Sequence, residues 1–243
     1  MTFSIFYYYL CGLIGYQAGH TASTLKTTPK ENVITEEMNS NAFLNILDTI
    51  DRSITVSLNF NGGAFQDNMW MMFSSRLIWV LPAIALIAYL LSDRRTRRKT
   101  LIVVIALTVV VTLCDQTTSA LMKPFFARLR PSHTPGVENM LHYVNGYRGG
   151  QYGFASSHAA NSFGAVTFVA LLLRRWKVTV ALLLLSLCVC YSRIYLGVHF
   201  FGDIFVGAVI GVMFGYIVYA IVSADWSAAY RHIAHFRFRT ALR

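Results

Sequence analysis

The chain has 243 residues, of which 55% are hydrophobic and only 13% charged. Soluble domains carry about 25% charged residues, so this composition excludes a surface that meets water on every side. The net charge of +10 would suit a nucleic-acid binder, but most of the basic residues stand beside apolar runs. They read as topology signal and phosphate chemistry, and nucleic acid is excluded as a partner.

Taken in chain order, residues 3–19 form a short aromatic, apolar stretch that is a candidate sixth span. No Lys or Arg precedes it, which makes it a poor signal peptide. Residues 21–40 are polar and read as a linker, and Met38 offers a second start for a shorter protein. Residues 41–58 place Phe43, Leu44, Leu47, Ile50, Ile54 and Leu58 at helical spacing opposite Asp48, Asp51 and Arg52. That pattern predicts an amphipathic helix lying in the membrane interface.

Five apolar segments follow, at 69–91, 101–122, 155–173, 178–197 and 201–222. Each approaches the ~20 helical residues that cross a bilayer. The predicted fold is all-α: a polytopic membrane helical bundle with five strong transmembrane helices, the candidate sixth at the N-terminus and the interfacial helix. Residues 1–40 are the N-terminal span and linker, 41–222 the membrane domain and 223–243 a basic cytoplasmic tail. Basic clusters at Arg94–Lys99, at Arg174, Arg175 and Lys177, and at Arg231, Arg237, Arg239 and Arg243 hold twelve of the 21 Lys and Arg. Placing all three in the cytoplasm lets the helices alternate and puts the chain in the inner membrane. The opposite, periplasmic ends then carry Lys123, Arg128, Arg130, Arg148 and Arg193, charge on the side that topology disfavours. Cys11, Cys114, Cys188 and Cys190 lie inside apolar segments without metal-ligand spacing and read as small buried hydrophobes.

Those periplasmic ends hold three polar clusters: Lys123 to Pro131, Phe154 to His158, and Ser192 to Asp203. Ionisable groups this close to hydrocarbon are costly and mark function. As chemistry they make a phosphate site. Lys123, Arg130 and Arg193 supply three positive charges for nonbridging oxygens. Ser156 and the backbone N–H groups near Ser157 open a helix, where free amides and the dipole favour an anion. His199 and Asp203 are four residues apart and share a helical face, so the carboxylate can fix one ring nitrogen and leave the other as nucleophile. His158 remains to protonate the leaving group.

These clusters resemble the motifs of the type 2 phosphatidic acid phosphatase family, which shares its core fold with the vanadium haloperoxidases. The first family motif, K-x-x-x-x-x-x-R-P, matches Lys123, Arg130 and Pro131. The second, usually P-S-G-H, matches at Ser156 and His158, and the third, S-R-x-x-x-x-x-H-x-x-x-D, at Ser192, Arg193, His199 and Asp203. All three stand in family order, and the resemblance covers about residues 41–222. It implies a two-step reaction that needs no metal and no cofactor. His199 attacks phosphorus, His158 protonates the leaving oxygen, and water activated by His158 hydrolyses the phosphohistidine while Asp203 steadies His199. The catalytic set is then His199, His158 and Asp203, and the phosphate set is Lys123, Arg130, Ser156, Ser157 and Arg193. Ala155 and Ser157 depart from the family's proline and glycine; the Ser157 side chain crowds the approach to phosphate or adds a hydrogen bond.

Other residues carry two readings. His133, His142, Tyr143, Tyr147, Arg148 and Tyr152, in the loop 132–153, suit head-group contact and interfacial decoration equally. Arg128 is either a fourth phosphate contact or a salt-bridge partner, and Asp115 is expected to pair with a buried basic group. Gly207, Gly211 and Gly215 form a small-residue stripe for close packing, within the chain or between copies. The expected substrate is a lipid phosphate: undecaprenyl diphosphate first, a lipid A phosphate second, phosphatidylglycerol phosphate or phosphatidic acid after them. Membrane lipids are the other partners, and the sequence does not set the oligomeric state. A haloperoxidase, a basic-lined anion transporter and a metalloenzyme on His158, His199 and Asp203 are the competing classes.

Overall fold

The computed structural model describes residues 31–92, 97 and 99–240, with side chains over 42–92, 97 and 99–224. The candidate span 3–19, most of the basic run after Ser92, and the side chains of the C-terminal tail lie outside the described residues. The described chain is helical, with no strand; one isolated bridge joins Leu129 and Tyr152. The helices are α1 (Glu31–Leu58), α2 (Gly63–Ser74), α3 (Val80–Ser92), α4 (Thr100–Phe126), α5 (Ser157–Leu173), α6 (Trp176–Tyr195) and α7 (Phe201–Thr240). They form the helical membrane bundle expected from the apolar segments.

The segments are not all simple spans. Three helices, α4, α6 and the Phe201–Ala224 part of α7, are long and apolar enough to cross a membrane. The predicted span 69–91 is instead a bent pair: α2 and the helix Arg76–Ser92 meet at 63°. The break falls at Ser75, whose backbone is extended and whose Oγ accepts from the Leu77 N–H, restarting the chain as a 3₁₀ turn over Arg76–Trp79. A hydroxyl able to cap the next turn competes with helix continuation, so an unbroken apolar count overstated this span. The segment predicted at 155–173 is the 17-residue α5, shorter than the other spans and the most enclosed of them.

α5 is central because α7 packs backbone to backbone against it. A Cβ on Gly207, Gly211 or Gly215 would lie 2.4, 2.3 or 2.5 Å from the carbonyl oxygens of Ser156, Ala160 and Gly164. The glycine stripe therefore serves packing within the chain. Leu90 of α3, Val103, Val110 and Cys114 of α4, Phe168 of α5 and Val218 of α7 bury together below this contact. Leu101, Leu121, Leu184 and Ile221 point outward, as helices dissolved in hydrocarbon require.

α1 differs from the amphipathic expectation in one respect. Phe43, Ile46 and Ile50 are exposed, as a lipid-facing stripe would be. The opposite face is divided: Asp48 and Arg52 stay partly exposed and pair with each other, while Asp51 and Thr55 are buried. Asp51 accepts from the Gly202 N–H at 2.8 Å and Thr55 from the Phe201 N–H at 3.1 Å. Together they cap the start of α7, whose free amides and dipole favour an oxygen acceptor. At the end of α1, Asn59 Nδ2 donates to the Tyr195 carbonyl at 2.7 Å, and its Oδ1 accepts from the His142 N–H at 2.6 Å. One side chain thus ties the interfacial helix, the loop 132–153 and the end of α6.

Candidate active site

α4 brings Lys123 to the site through an irregular last section. Pro124 has no N–H to donate and crowds the preceding turn, and residues Gln116–Met122 widen into a π-helix just before it. Thr118 Oγ1 donates to the Cys114 carbonyl at 2.8 Å, drawing that carbonyl into a side-chain bond. The widened turn faces the start of α5. There Ser157 Oγ lies 2.9 Å from Thr118 Oγ1, 2.8 Å from Ser119 Oγ and 2.9 Å from Lys123 Nζ, which donates to it. The hydroxyl that replaces the family's glycine is therefore turned toward Lys123, and it locks α4 to α5. Ser157 offers an anion its backbone N–H, one of the unsatisfied amides of the first turn.

Ser156 precedes that turn. Its N–H donates to the Asp203 carbonyl at 3.0 Å, while its Oγ is buried without a hydrogen-bond partner. Arg130 is held by the loop that returns over it: its N–H donates to Gln151 O at 3.0 Å and its Nε to Tyr152 O at 3.1 Å. Gly149 lets the guanidinium pass, since a Cβ there would sit 2.6 Å from Arg130 Nη1. Burial, then the nearby Arg193, holds the Arg130 pKa below its ordinary value. Arg193, at the end of α6, is 3% exposed; its Nη1 donates to Ser74 Oγ and its Nε is buried without a partner.

The two histidines occupy unlike surroundings. His158 Nε2 lies 3.2 Å from the carbonyl of Ser74, where α2 breaks, leaving its other ring nitrogen free. His199 sits in the short turn between α6 and α7 and is 1% exposed. Its Nδ1 is 3.4 Å from Asp203 Oδ2, a long contact. Asp203 is fully buried and accepts from the Phe200 N–H at 3.1 Å and from Arg128 Nη1 at 2.7 Å. Burial first, then the charges of Arg130, Arg193 and Lys123, hold the His199 pKa well below the usual histidine value. The ring is thus neutral at neutral pH, the form that carries a nucleophilic lone pair.

Lys123, Arg130, Ser157, His158, Arg193 and His199 all line one cavity of about 940 Å³. Ser156, just before α5, is buried and does not line the cavity, and Asp203 lies behind His199. The structure thus brings the expected residues other than Ser156 to the cavity or against a residue that lines it. Arg128 resolves to salt bridges: Nη2 meets Asp51 Oδ2 at 2.8 Å and Nη1 meets Asp203 Oδ1 at 2.7 Å, with the guanidinium over the Phe200 ring. The loop candidates separate. Tyr147 reaches the cavity that Arg193 also lines. His142 pairs with Asp67 at 3.0 Å, and Tyr143 donates to the Glu138 carbonyl at 2.8 Å and carries the Arg148 guanidinium on its ring. Ser74 and Ser119 escaped the sequence reading, although a Ser-Ser-Arg triplet inside an apolar run marks the first. Asp115 does not reach a basic group within hydrogen-bond distance; its near neighbour is Ser119 Oγ at 3.5 Å.

Comparison with known proteins gives the family and the fold. The model of the PAP2 superfamily matches residues 99–227. A curated Lipid A 4'-phosphatase of Porphyromonas gingivalis is 36% identical over 172 residues, 71% of this chain and 72% of that protein. A protein of the same name from Bacteroides thetaiotaomicron is 35% identical over 179 residues, 73% of this chain and 79% of the other. Among solved structures, a PAP2 type phosphatidylglycerolphosphate phosphatase from Bacillus subtilis superposes with a TM-score of 0.55 at 20% identity, covering 74% of this chain and 88% of that one. Aquifex aeolicus LpxE gives a TM-score of 0.50 at 24% identity, with coverage of 68% and 92%. These two establish likeness of fold.

Proposed function

Because the chain belongs to the PAP2 superfamily and is a membrane lipid phosphatase, we propose that it cleaves a phosphate monoester from an acylated aminosugar lipid of the lipid A type, through a phosphohistidine on His199. The observation that carries the catalytic reading is a surplus of donors around one imidazole. Arg193 Nε is buried without a partner at a cavity that Arg130 and Lys123 also line. Buried polar groups are nearly always satisfied, and a phosphate dianion there would satisfy it and offset three mutually repelling cations.

In this reading the free ring nitrogen of His199 attacks phosphorus in line as the bond to the sugar oxygen breaks. His158, held at one nitrogen by the Ser74 carbonyl, delivers a proton from the other to that oxygen. Positive charge developing on His199 is met by Asp203, and the nonbridging oxygens by Lys123, Arg130 and Arg193. Water, losing a proton to His158, then breaks the phosphorus–nitrogen bond and releases inorganic phosphate, restoring both histidines. Support for the substrate class comes from the two curated relatives, whose printed activity is on lipid A. Undecaprenyl diphosphate, the first expectation from sequence, ranks behind it.

We place the site at the periplasmic face of the inner membrane, since Arg174, Arg175 and Lys177 stand at the opposite helix ends. Cysteines introduced into the loop 132–153 should react with an impermeant maleimide in intact spheroplasts; reaction only after lysis contradicts the orientation. The catalytic test is trapping of ³²P-labelled substrate on the purified protein with an alkaline detergent quench. His158→Ala should accumulate acid-labile, base-stable protein-bound phosphate, and His199→Ala should bind none and lose at least ~10³-fold in kcat. Label retained on His199→Ala would refute the nucleophile.

A further inference from the structure

The cavity does not end at the phosphate site. It continues between α3, α4, α5 and α6, and its far part is apolar, lined by Leu86, Leu107, Val111, Val169, Leu173 and Leu182. Between the two parts lies a polar band made by Thr112, Asp115 and Gln116 on α4 and Asn161 and Ser162 on α5. Its depth follows from the helix register. Ser119 and Ser157 touch at 2.8 Å, which aligns α4 and α5 at the phosphate level. One turn further from the phosphate, ~6 Å along each axis, stand Asp115 on one wall and Asn161 on the other.

Nothing in the reaction uses this band. A carboxylate at that depth is costly, yet the hydrogen bond it makes to Ser119 Oγ is 3.5 Å long. Asn161 lines the cavity and its Oδ1 is buried without a partner. Asp115 is an acceptor in want of donors, and the Asn161 amide holds an unused acceptor and donors beside it. A diacylglycerol phosphate or a polyprenyl phosphate brings only ester carbonyls or hydrocarbon to this distance from phosphorus. An acylated aminosugar brings hydroxyls and an amide N–H, with its acyl chains continuing into the apolar part.

We infer that Asp115 and Asn161, with Gln116 beside them, form a second recognition level that reads hydrogen-bond donors on the group bearing the phosphate and so selects phosphorylated aminosugar lipids. This deepens the substrate reading above and rests on it. The site discriminates because a ligand without donors leaves its buried acceptors unpaired, and unpaired polar groups penalise binding more than an apolar mismatch does.

The test compares kcat/KM of the full chain in detergent micelles on two probes, a purified lipid A phosphate and phosphatidic acid, for wild type, Asn161→Leu and Asp115→Asn. The preference of wild type for the aminosugar lipid should fall by about tenfold in Asn161→Leu and by a smaller factor in Asp115→Asn, which keeps one acceptor oxygen. Reading the ratio removes any loss common to both probes, including one transmitted from Asp115 to Lys123. Where Asn161→Leu does not accumulate as folded protein, Asn161→Ser, too short to reach a ligand, supplies the same ratio. A ratio within twofold of wild type in these variants overturns the inference even if both activities drop. Wild type that hydrolyses phosphatidic acid but not the aminosugar lipid overturns instead the substrate reading beneath it.

Discussion

Replacing Arg128 separates the two machines that the site combines. Its guanidinium joins Asp51 of α1 at 2.8 Å and Asp203 of α7 at 2.7 Å, and both carboxylates are buried. Arg128→Met keeps most of the volume over Phe200 but strands two buried negative charges. Breaking such a pair costs about 3–5 kcal/mol, so a clear fall in thermal midpoint is expected in detergent. Catalysis should fall by less than the ~10⁴-fold seen when a buried triad carboxylate is lost. The Phe200 N–H still holds Asp203 Oδ2 at 3.1 Å, so part of its orientation survives. We expect kcat to drop roughly 10²-fold, about 2.7 kcal/mol of transition-state stabilisation. KM should move less than about threefold, because Lys123, Arg130 and Arg193 are untouched. Arg128→Lys, a point charge able to serve one carboxylate well, should fall between and guards against a misfolded Met variant. A folded variant with kcat within twofold of wild type would refute the positioning role. A large rise in KM at constant kcat would place Arg128 on the phosphate instead.

Three further outcomes follow from the geometry. Ser157→Ala removes the 2.9 Å acceptor of Lys123 Nζ; loss of one charge-assisted bond, about 1.5 kcal/mol or more, should raise KM roughly tenfold with a smaller change in kcat. The depressed pKa of His199 means that this ring stays neutral as pH falls through the ordinary histidine range near 6.5. Its contribution to the acid limb of kcat/KM should therefore lie below that range. Arg130→Met removes a repelling cation, makes the protonated ring easier to form and should shift that limb to higher pH, while raising KM. Gly211→Ala would set a Cβ 2.3 Å from the Ala160 carbonyl oxygen; forcing α5 and α7 apart should cost on the order of 1–3 kcal/mol in thermal unfolding. Gly150→Ala, with nothing within 4 Å of the added carbon, should stay within ~0.5 kcal/mol.

The parts of this molecule that were legible in sequence are those where chemistry and period coincide in short windows. Lys123, Arg130, Arg193, His158, His199 and Asp203 stood out because charge beside hydrocarbon is expensive, and α4, α6 and α7 because apolar runs of that length have few other uses. What stayed hidden depends on partners distant in the chain. Asp51 reads as the solvent face of an amphipathic helix until Arg128 and the Gly202 N–H are seen to meet it, 77 and 151 residues away. Ser74 reads as a tolerated hydroxyl inside a span; its Oγ and carbonyl serve Arg193 and His158, 119 and 84 residues away. Arg128 and the loop residues divided between phosphate contact and structure only when their neighbours were known, since the same guanidinium or imidazole suits either purpose. For Ser157 the sequence left crowding and an added hydrogen bond open, and the hydroxyl turned to Lys123 favours the second.

In the reaction we propose, the placement of charge across His199 accounts for how one imidazole can serve both half-reactions. On one side are Lys123, Arg130 and Arg193; on the other is Asp203, whose second oxygen is bound to Arg128. Were Asp203 free to swing toward the three cations, it would neutralise them and compete with phosphate for Arg193 Nε. Arg128, itself anchored by Asp51, holds the carboxylate back and keeps the two signs apart. The three cations disfavour a proton on His199 before attack, so the lone pair is available, and Asp203 steadies the positive ring as the phosphoryl group transfers. Bound phosphate offsets the three cations while that positive charge develops. The N-terminal helix, far from phosphorus in sequence and bearing no motif residue, is on this argument the element that keeps the nucleophile from being masked by its own carboxylate.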